Sequence, residues 1–529
     1  MRERQVPSPY GNYAHAVITA GARRHPDRVA VTYEGGLHLT YADLDARVNR
    51  RANALKQAGV GAGDRVAVLL RGTLGIAETY LALAKLGVTL VTLNPYWSDD
   101  ITTTMVERSK CSAFVYEGAF DALAAGITPK LPQVSRWLRL GGATADSVDL
   151  DQLTEEASDQ EPELGAHHDD ELALFFTSGT TGLPKAVVHT HASALATAQQ
   201  WLDVPHDNDS VFGTGPIIWG VGYFAIAGPA LYAGMHLVLE DDFGPARFLE
   251  AVPAQKITHI SVIPSFFSQL FATDGQAEAD LSSLRVILLG GEPLLPSLRQ
   301  RILDRLPGVA LCSYYGQTEA PYTVVGHQHD NSQDVRASGR ARTGCAVRVV
   351  DAEGRRLVGE VGDVWLTGPH LMRGYDADPE RTAGVLRDGW YVGGDIGILD
   401  PTGTLTVLGR RQDAIRTPTR YVLPGEVEDA ALGIDGVAEA GAVGVPEDAE
   451  RQQILLAVQA APRRNLDPDT VREELARRLP DEAQPDAVVI VDALPHAQDS
   501  SGGSGKLLRR DIRTRWGHLT VANSEATGP

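Results

Sequence analysis

Through roughly the first 340 residues, short apolar runs alternate with stretches whose apolar residues recur at helical spacing. That alternation leaves few folds open. Residues 66–70 (VAVLL) form one run, helical spacing follows around residues 77–86, and residues 88–93 supply the next run. Upstream, Thr40 and Asp43 have the spacing of a capping box, and Leu44, Val48 and Leu55 continue the pattern at helical intervals. Runs without polar alternation belong to strands buried on both faces, so the reading is α/β: sheets layered with helices. From residue 347 to about 408 the pattern changes to short segments (VRVVD, DVWLTG, TLTVLG) broken by glycine and proline turns, which predicts a β subdomain over about 340–410. After Gly409 and Arg410 the chain starts again with a short strand, a helix near 426–432, strands at 440–445 and 454–460, and a helix carrying Val471, Leu475 and Leu479 on one face. Roughly 115 residues are enough for a small α+β domain with its own core. The expected organisation is a large N-terminal domain over 1–411 and a small C-terminal domain over 412–529, its tail beyond about 516 frayed.

Charge narrows the function. Lys and Arg number 48 against 68 Asp and Glu, a formal balance of −20. Such a surface repels phosphate backbones and anionic lipid, so neither a nucleic-acid nor a membrane partner is expected. Three cysteines, Cys111, Cys312 and Cys345, lie far apart and without metal-ligand spacing, as expected of a reducing, cytoplasmic setting. The first fifteen residues carry charge but no apolar core, so no signal peptide is expected. Residues 213–239 hold no Asp, Glu, Lys or Arg and would be long enough to span a bilayer. Six glycines, Pro216, Pro229 and His236 argue instead for a buried helix flanked by strands.

The densest chemical signal is Thr177, Ser178, Gly179, Thr180, Thr181, Gly182, Leu183, Pro184, Lys185, set between apolar segments at 172–176 and 186–189. The glycines let backbone approach an anion, the hydroxyls donate to it and Lys185 adds charge, which suits a polyphosphate. It is not a Walker A loop, because GxxxxGK[ST] is not met.

At this motif the chain resembles the phosphate-binding signature of the adenylate-forming superfamily, which includes acyl-CoA synthetases, aryl-CoA ligases, peptide-synthetase adenylation domains and luciferase. Further signatures follow in the family's order. Gly290, Gly291, Glu292, Pro293 and Leu294 resemble the adenine-side loop. Tyr314, Tyr315, Gly316, Gln317, Thr318 and Glu319 resemble the YGxTE motif. Trp390 to Gly397 (WYVGGDIG) resembles WxxTGD, with Gly393 where threonine is usual. Gly409 and Arg410 open the hinge, and Ser504, Gly505 and Lys506, followed by LLRR, resemble the C-terminal SGKxxRR motif. Taken singly, Tyr315, Glu319, Asp395 and Lys506 are ordinary residues; their order along a matching chain gives them meaning.

The resemblance implies a fold and a reaction. The large N-terminal domain would hold ATP and an acid, and the small C-terminal domain would act as a mobile cap delivering the catalytic lysine. Attack of a carboxylate oxygen on the α-phosphorus of ATP would give an acyl-AMP and pyrophosphate. Thr180, Thr181 and Lys185 would hold the β- and γ-phosphates, with the rest of the 177–185 loop around them. Thr318 would contact the α-phosphate and Glu319 would bind Mg²⁺. Tyr315 and Gly316 would lie against adenine beside Gly291, Glu292 and Pro293. Asp395 would accept from the ribose hydroxyls, with Arg410 nearby. Lys506 would bridge the substrate carboxylate and the α-phosphate, making Lys506, Thr318 and Lys185 the catalytic set. Trp219, Gly222 and Tyr223 fall where the family lines its acid pocket, and no pocket lysine or arginine is evident, which points to a hydrophobic or aromatic acid.

The chain departs from the family on the cap side. The hinge position, usually Asp or Lys, is Gln412. Where the family has a glycine that lets backbone lie close to pantetheine stands Thr419, preceded by Pro418. Residues 447–453 (EDAERQQ) lack the usual Gly-Glu, and 498–503 lengthen the loop before Lys506. CoA is therefore the expected co-substrate on frequency. The alternative is AMP-forming activation with another acceptor: an amine, a carrier-protein thiol, or nitrite for diazotisation of an aryl amine. A small-molecule acid, ATP and one such acceptor are the expected partners, and nothing in the sequence speaks against a homodimer.

Overall fold

The computed structural model describes residues 11–520 apart from 35, 178–182, 201–203, 208, 215–221, 274, 276–277, 328–336, 448, 462–463 and 499–503. At 200, 223, 272, 327, 497–498 and 504–506 only the backbone is described.

The capping box at Thr40 follows a helical segment at 15–24 and the strands Val29–Tyr33 and Leu37–Thr40. The Thr40 hydroxyl accepts from the Asp43 amide at 3.1 Å, and the Asp43 carboxylate accepts from the Thr40 amide at 3.0 Å. The helix Tyr41–Gln57 that follows buries Leu44, Val48 and Leu55 completely. It packs beside the helix Thr73–Leu86 over an eight-stranded sheet whose centre is parallel: Glu171–Thr177 (β1), Thr89–Thr92, Arg65–Leu69, Ala113–Glu117 and Arg136–Leu140 lie side by side in that order. Lys185–Thr190 (β2) pairs antiparallel with β1, so Thr177 faces Lys185 across the mouth of the 178–184 connection.

A second sheet of fifteen strands has an antiparallel hairpin, Val29–Tyr33 with Leu37–Thr40, at one edge, then a run of parallel pairs, and becomes antiparallel again. Val211–Thr214 pairs with His236–Leu239, and between them a helical stretch at 223–232 is buried over most of its length. Over its described residues, 213–214 and 222–239, the charge-free stretch therefore connects two neighbouring strands of this sheet. No helix among the described residues is long and apolar enough to cross a membrane. After the helix Pro264–Ala272 (α1) come Val286–Leu289 (β3), the helix Pro296–Arg305 (α2), and the antiparallel pair Ala310–Gln317 (β4) and Ala320–His327 (β5).

The change of sequence pattern at 347 is not a break in this sheet. The three-residue strand Gly339–Ala341 pairs with β5 on one side and with Thr404–Arg410 on the other, joining the short strands of 346–410 to the same ladder. Trp390–Leu399 (β6) and Thr404–Arg410 (β7) form the hairpin that ends the large domain's sheet.

The small domain holds the helix Pro424–Leu432 (α3) and a three-stranded sheet of Val437–Val445, Gln453–Ala460 and Ala487–Val491. Its buried apolar residues fall into two clusters without members from the larger body, so it has its own core. It touches the large domain where α3 meets α2: the Asp429 carboxylate accepts from the Ser297 amide at 3.1 Å and from its hydroxyl at 2.8 Å. The strand Ser504–Leu507 (β8) lies against α1.

Candidate active site

The candidate residues gather at the carboxyl ends of the parallel strands, where open α/β sheets bind ligands. β3 ends at Leu289 and the chain turns through Gly291, Glu292 and Pro293. The Glu292 carboxylate accepts from the Ser265 amide at 3.2 Å, tying this loop to the start of α1, the helix on which the Lys506-bearing strand rests. β4 ends in Tyr315, Gly316 and Gln317, and Thr318 and Glu319 make the tight turn into β5. Only glycine fits at 316, since a Cβ there would lie 2.5 Å from the Ala320 carbonyl oxygen and 2.6 Å from the Tyr322 amide.

Two polar groups are built on this turn. In the first, the Tyr375 hydroxyl donates to buried Glu319 at 2.7 Å, and the Lys185 ammonium lies 5.6 Å over the Tyr375 ring. Tyr375 is placed by pairing with Val187 of β2. In the second, Asp395 and Arg410 face each other across the β6–β7 hairpin with Nε–Oδ1 at 3.1 Å. Tyr315 and Gln317 each donate to Asp395 Oδ2 at 2.7 Å, and Tyr391 donates to Gln317 Oε1 at 2.6 Å. Burial and the adjoining carboxylates raise the Tyr315 and Tyr375 phenols well above their usual range, so both remain donors at any ordinary pH.

His189 Nε2 donates to the Thr318 carbonyl at 2.8 Å and so fixes the turn from behind. Burial pushes this imidazole down to about 4, so it is neutral. Next to it, Phe175, Phe224, Ala225, Thr318 and Pro321 line a small apolar cavity. Gly222 and the backbone of Tyr223 lie on the helical turn that carries Phe224. Ser178, Gly179, Thr180, Thr181, Gly182 and Trp219 lie outside the described residues, as do the side chains of Tyr223 and Lys506.

Sequence reasoning missed Gln317, Tyr375, Tyr391 and His189. For Gln317 a signal existed: Gly393 stands where the motif usually carries threonine, and a Cβ at 393 would overlap the Gln317 amide nitrogen. Conversely, Thr419 takes no left-handed backbone; it is exposed on a turn closed by the Thr417 hydroxyl, which donates to the Arg420 carbonyl at 2.7 Å. Threonine is thus accommodated there without backbone strain. Among the described residues no group of three or more His, Cys, Asp or Glu side chains forms a metal cluster. The buried carboxylate of Glu319 fits Mg²⁺, which takes one or two protein carboxylates and completes its shell with substrate phosphates and water. Cys111 and Cys312 are buried, their thiols pushed up to about 12 and about 11, and serve packing.

Buried histidines give the fold a pH dependence. Burial pushes His189, His191 and His259 down to about 4 and His370 to about 3, against an ordinary 6.5. The unfolded chain therefore binds more protons below 6.5, and stability present above that pH is lost as the pH falls towards 4. The urea midpoint should hold steady from pH 8 to about 6.5 and drop steeply below it. A flat midpoint between pH 6.5 and 4 would contradict these shifts.

The model of the AMP-binding enzyme family matches residues 18–376, and that of the AMP-binding enzyme C-terminal domain matches 426–501. Feruloyl-CoA synthase of an Amycolatopsis species is 32% identical over 505 residues, covering 94% of this chain and 97% of that protein. The medium-chain fatty-acid–CoA ligase of Escherichia coli is 29% identical, covering 93% of this chain and 89% of its own length. Among solved structures, the amide bond synthetase McbA of Marinactinospora thermotolerans superposes with a TM-score of 0.83 at 29% identity, over 95% of this chain and 99% of that one.

Proposed function

We propose, for a chain that belongs to the AMP-binding enzyme family and is an AMP-forming ligase, that it activates a hydrophobic or aromatic carboxylic acid with ATP and passes the acyl group to CoA. The observation that carries this reading is the convergence, on one turn, of Lys185 with Glu319 and of Tyr315 with Asp395 and Arg410. One group suits the phosphate end of a nucleotide and the other its ribose. The 291–293 loop lies on the adenine side. The apolar cavity beside Thr318 supports an acid without a second charge.

In this mechanism a carboxylate oxygen attacks the α-phosphorus, the bond to the bridging oxygen breaks, and pyrophosphate leaves with the electron pair. Thr318 orients the α-phosphate, Lys185 holds the outer phosphates, and Lys506 offsets charge where the new bond forms. Asp395 and the 315–316 backbone fix the nucleoside so that attack is in line. Glu319, with the substrate phosphates, would hold Mg²⁺, which when bound neutralises phosphate charge. The domain boundary falls at 411/412, and the cap carries Lys506 to the cleft. Initial rates of pyrophosphate and AMP release over a panel of acids, with and without CoA, test the reading. An acyl-AMP that becomes a thioester on adding CoA is the expected result, and no acid-dependent pyrophosphate with any acceptor would overturn it.

Likeness to an amide bond synthetase favours a second reading, in which an amine or a carrier-protein thiol takes the acyl group, or nitrite is itself activated as its AMP ester and then attacked by an aryl amine. Thr419 and Pro418 stand exposed on a turn held by Arg420, which binds Glu426 with contacts of 2.9 and 2.7 Å. Thr419→Gly is expected to lower the KM for CoA several-fold and leave acyl-AMP formation unchanged. An unaltered KM for CoA would favour the other acceptors.

A further inference from the structure

Gln317 lies outside every role assigned above, yet its amide is held at both ends. Its Oε1 accepts from Tyr391 at 2.6 Å and its Nε2 donates to Asp395 Oδ2 at 2.7 Å. The orientation of the amide is dictated by chemistry, because a carboxylate only accepts and must face the NH₂ group. The space for it exists because residue 393 is glycine: a Cβ there would overlap the amide nitrogen and come within 2.9 Å of the carbonyl oxygen. Asp395 itself is only 5% exposed. A carboxylate has about four lone-pair sites. Tyr315 and Gln317 donate to Oδ2, and the Arg410 Nε lies 3.1 Å from Oδ1 as its ion-pair partner. The carboxylate is thus locked against rotation, with Oδ1 left to meet a ligand.

We infer that Gln317, seated in the space left by Gly393, is a positioning residue that orients the Asp395 carboxylate toward the ribose hydroxyls of the nucleotide. The inference rests on the proposed ribose role of Asp395. Its effect should therefore appear only when the ligand has ribose hydroxyls. A residue that merely fills space would affect all nucleotides alike.

The test is titration calorimetry of the full-length protein with ATP and with 2′,3′-dideoxy-ATP. Gln317→Met keeps the volume and removes the donor; it should weaken ATP binding by about tenfold, the size of one charge-assisted hydrogen bond, and change dideoxy-ATP binding by less than about twofold. Gly393→Ala should reproduce this by pushing the amide aside, and the double variant should be no worse than the worse single one. Equal losses for both nucleotides, or none for either, would overturn the inference. If the unmodified protein fails to distinguish the two nucleotides, the ribose role of Asp395 falls, and this inference with it. If it does distinguish them and the variants keep the full preference, only the role of Gln317 falls. Thermal melting of each variant separates a folding defect from these outcomes.

Discussion

Lys506→Ala is expected to slow acid-dependent pyrophosphate release by about two to three orders of magnitude, the scale of one well-placed transition-state cation. Negative charge builds up where two anions, the carboxylate and the α-phosphate, are forced together, and a cation bridging them acts mainly on the barrier. The KM for ATP should change little, because Lys185 and the ribose group supply ground-state binding. The strand that carries Lys506 pairs with His496–Gln498 in a separate two-stranded hairpin, outside the three-stranded sheet of the small domain. The melting temperature should therefore stay close to that of the unmodified protein. Stopped-flow pyrophosphate release checks the rate, and an unchanged rate would remove Lys506 from the chemistry. Acyl transfer from separately supplied acyl-AMP should be nearly intact, since the first step alone needs this charge.

The second large effect belongs to Glu319. Glu319→Gln should lower the rate about a hundredfold and shift the Mg²⁺ dependence to higher concentration, because an amide oxygen is a poorer ligand for a hard cation than a carboxylate. Folding should survive, since Tyr375 can still donate to the amide oxygen. Glu319→Leu, by contrast, would strand a buried hydroxyl at a cost of about 1–3 kcal/mol. A Mg²⁺ titration of initial rates, read beside the melting temperature of both variants, distinguishes these effects. An identical Mg²⁺ midpoint in Glu319→Gln would separate Glu319 from the cation.

How much of this could be read beforehand depends on the range of the interaction. The Thr40–Asp43 box is local, three residues apart, and was legible in full. The runs at 66–70 and 88–93 became neighbouring parallel strands because a fully apolar run has only a buried sheet to enter. The bridging strand Gly339–Ala341 was not legible, since three residues are too short to carry a period. Among site residues, Lys185, Glu319 and Asp395 were found through ordered motifs, whereas Tyr375 and Tyr391 were not. Tyr375 reaches Glu319 across 56 residues of sequence, and Tyr391 reaches Gln317 across 74. Nothing local distinguishes such tyrosines from core aromatics. At Thr419 the turn's backbone is not left-handed, so a comparison of residue types shows only the side chain that replaces glycine there.

The way β7 ends has a mechanical implication. Arg410, paired with Asp395, is its last residue, and the next, Arg411, is clamped to Asp363 at 2.9 and 2.7 Å. Gln412 follows as an exposed residue, so the proposed hinge position lies immediately beyond a riveted anchor. Torsion there would pass through only two residues of backbone to Arg410 and its partner Asp395, the proposed ribose fastening. Under the proposed mechanism, swinging the smaller lobe and releasing spent AMP would then be one motion rather than two, which would build an order into the turnover.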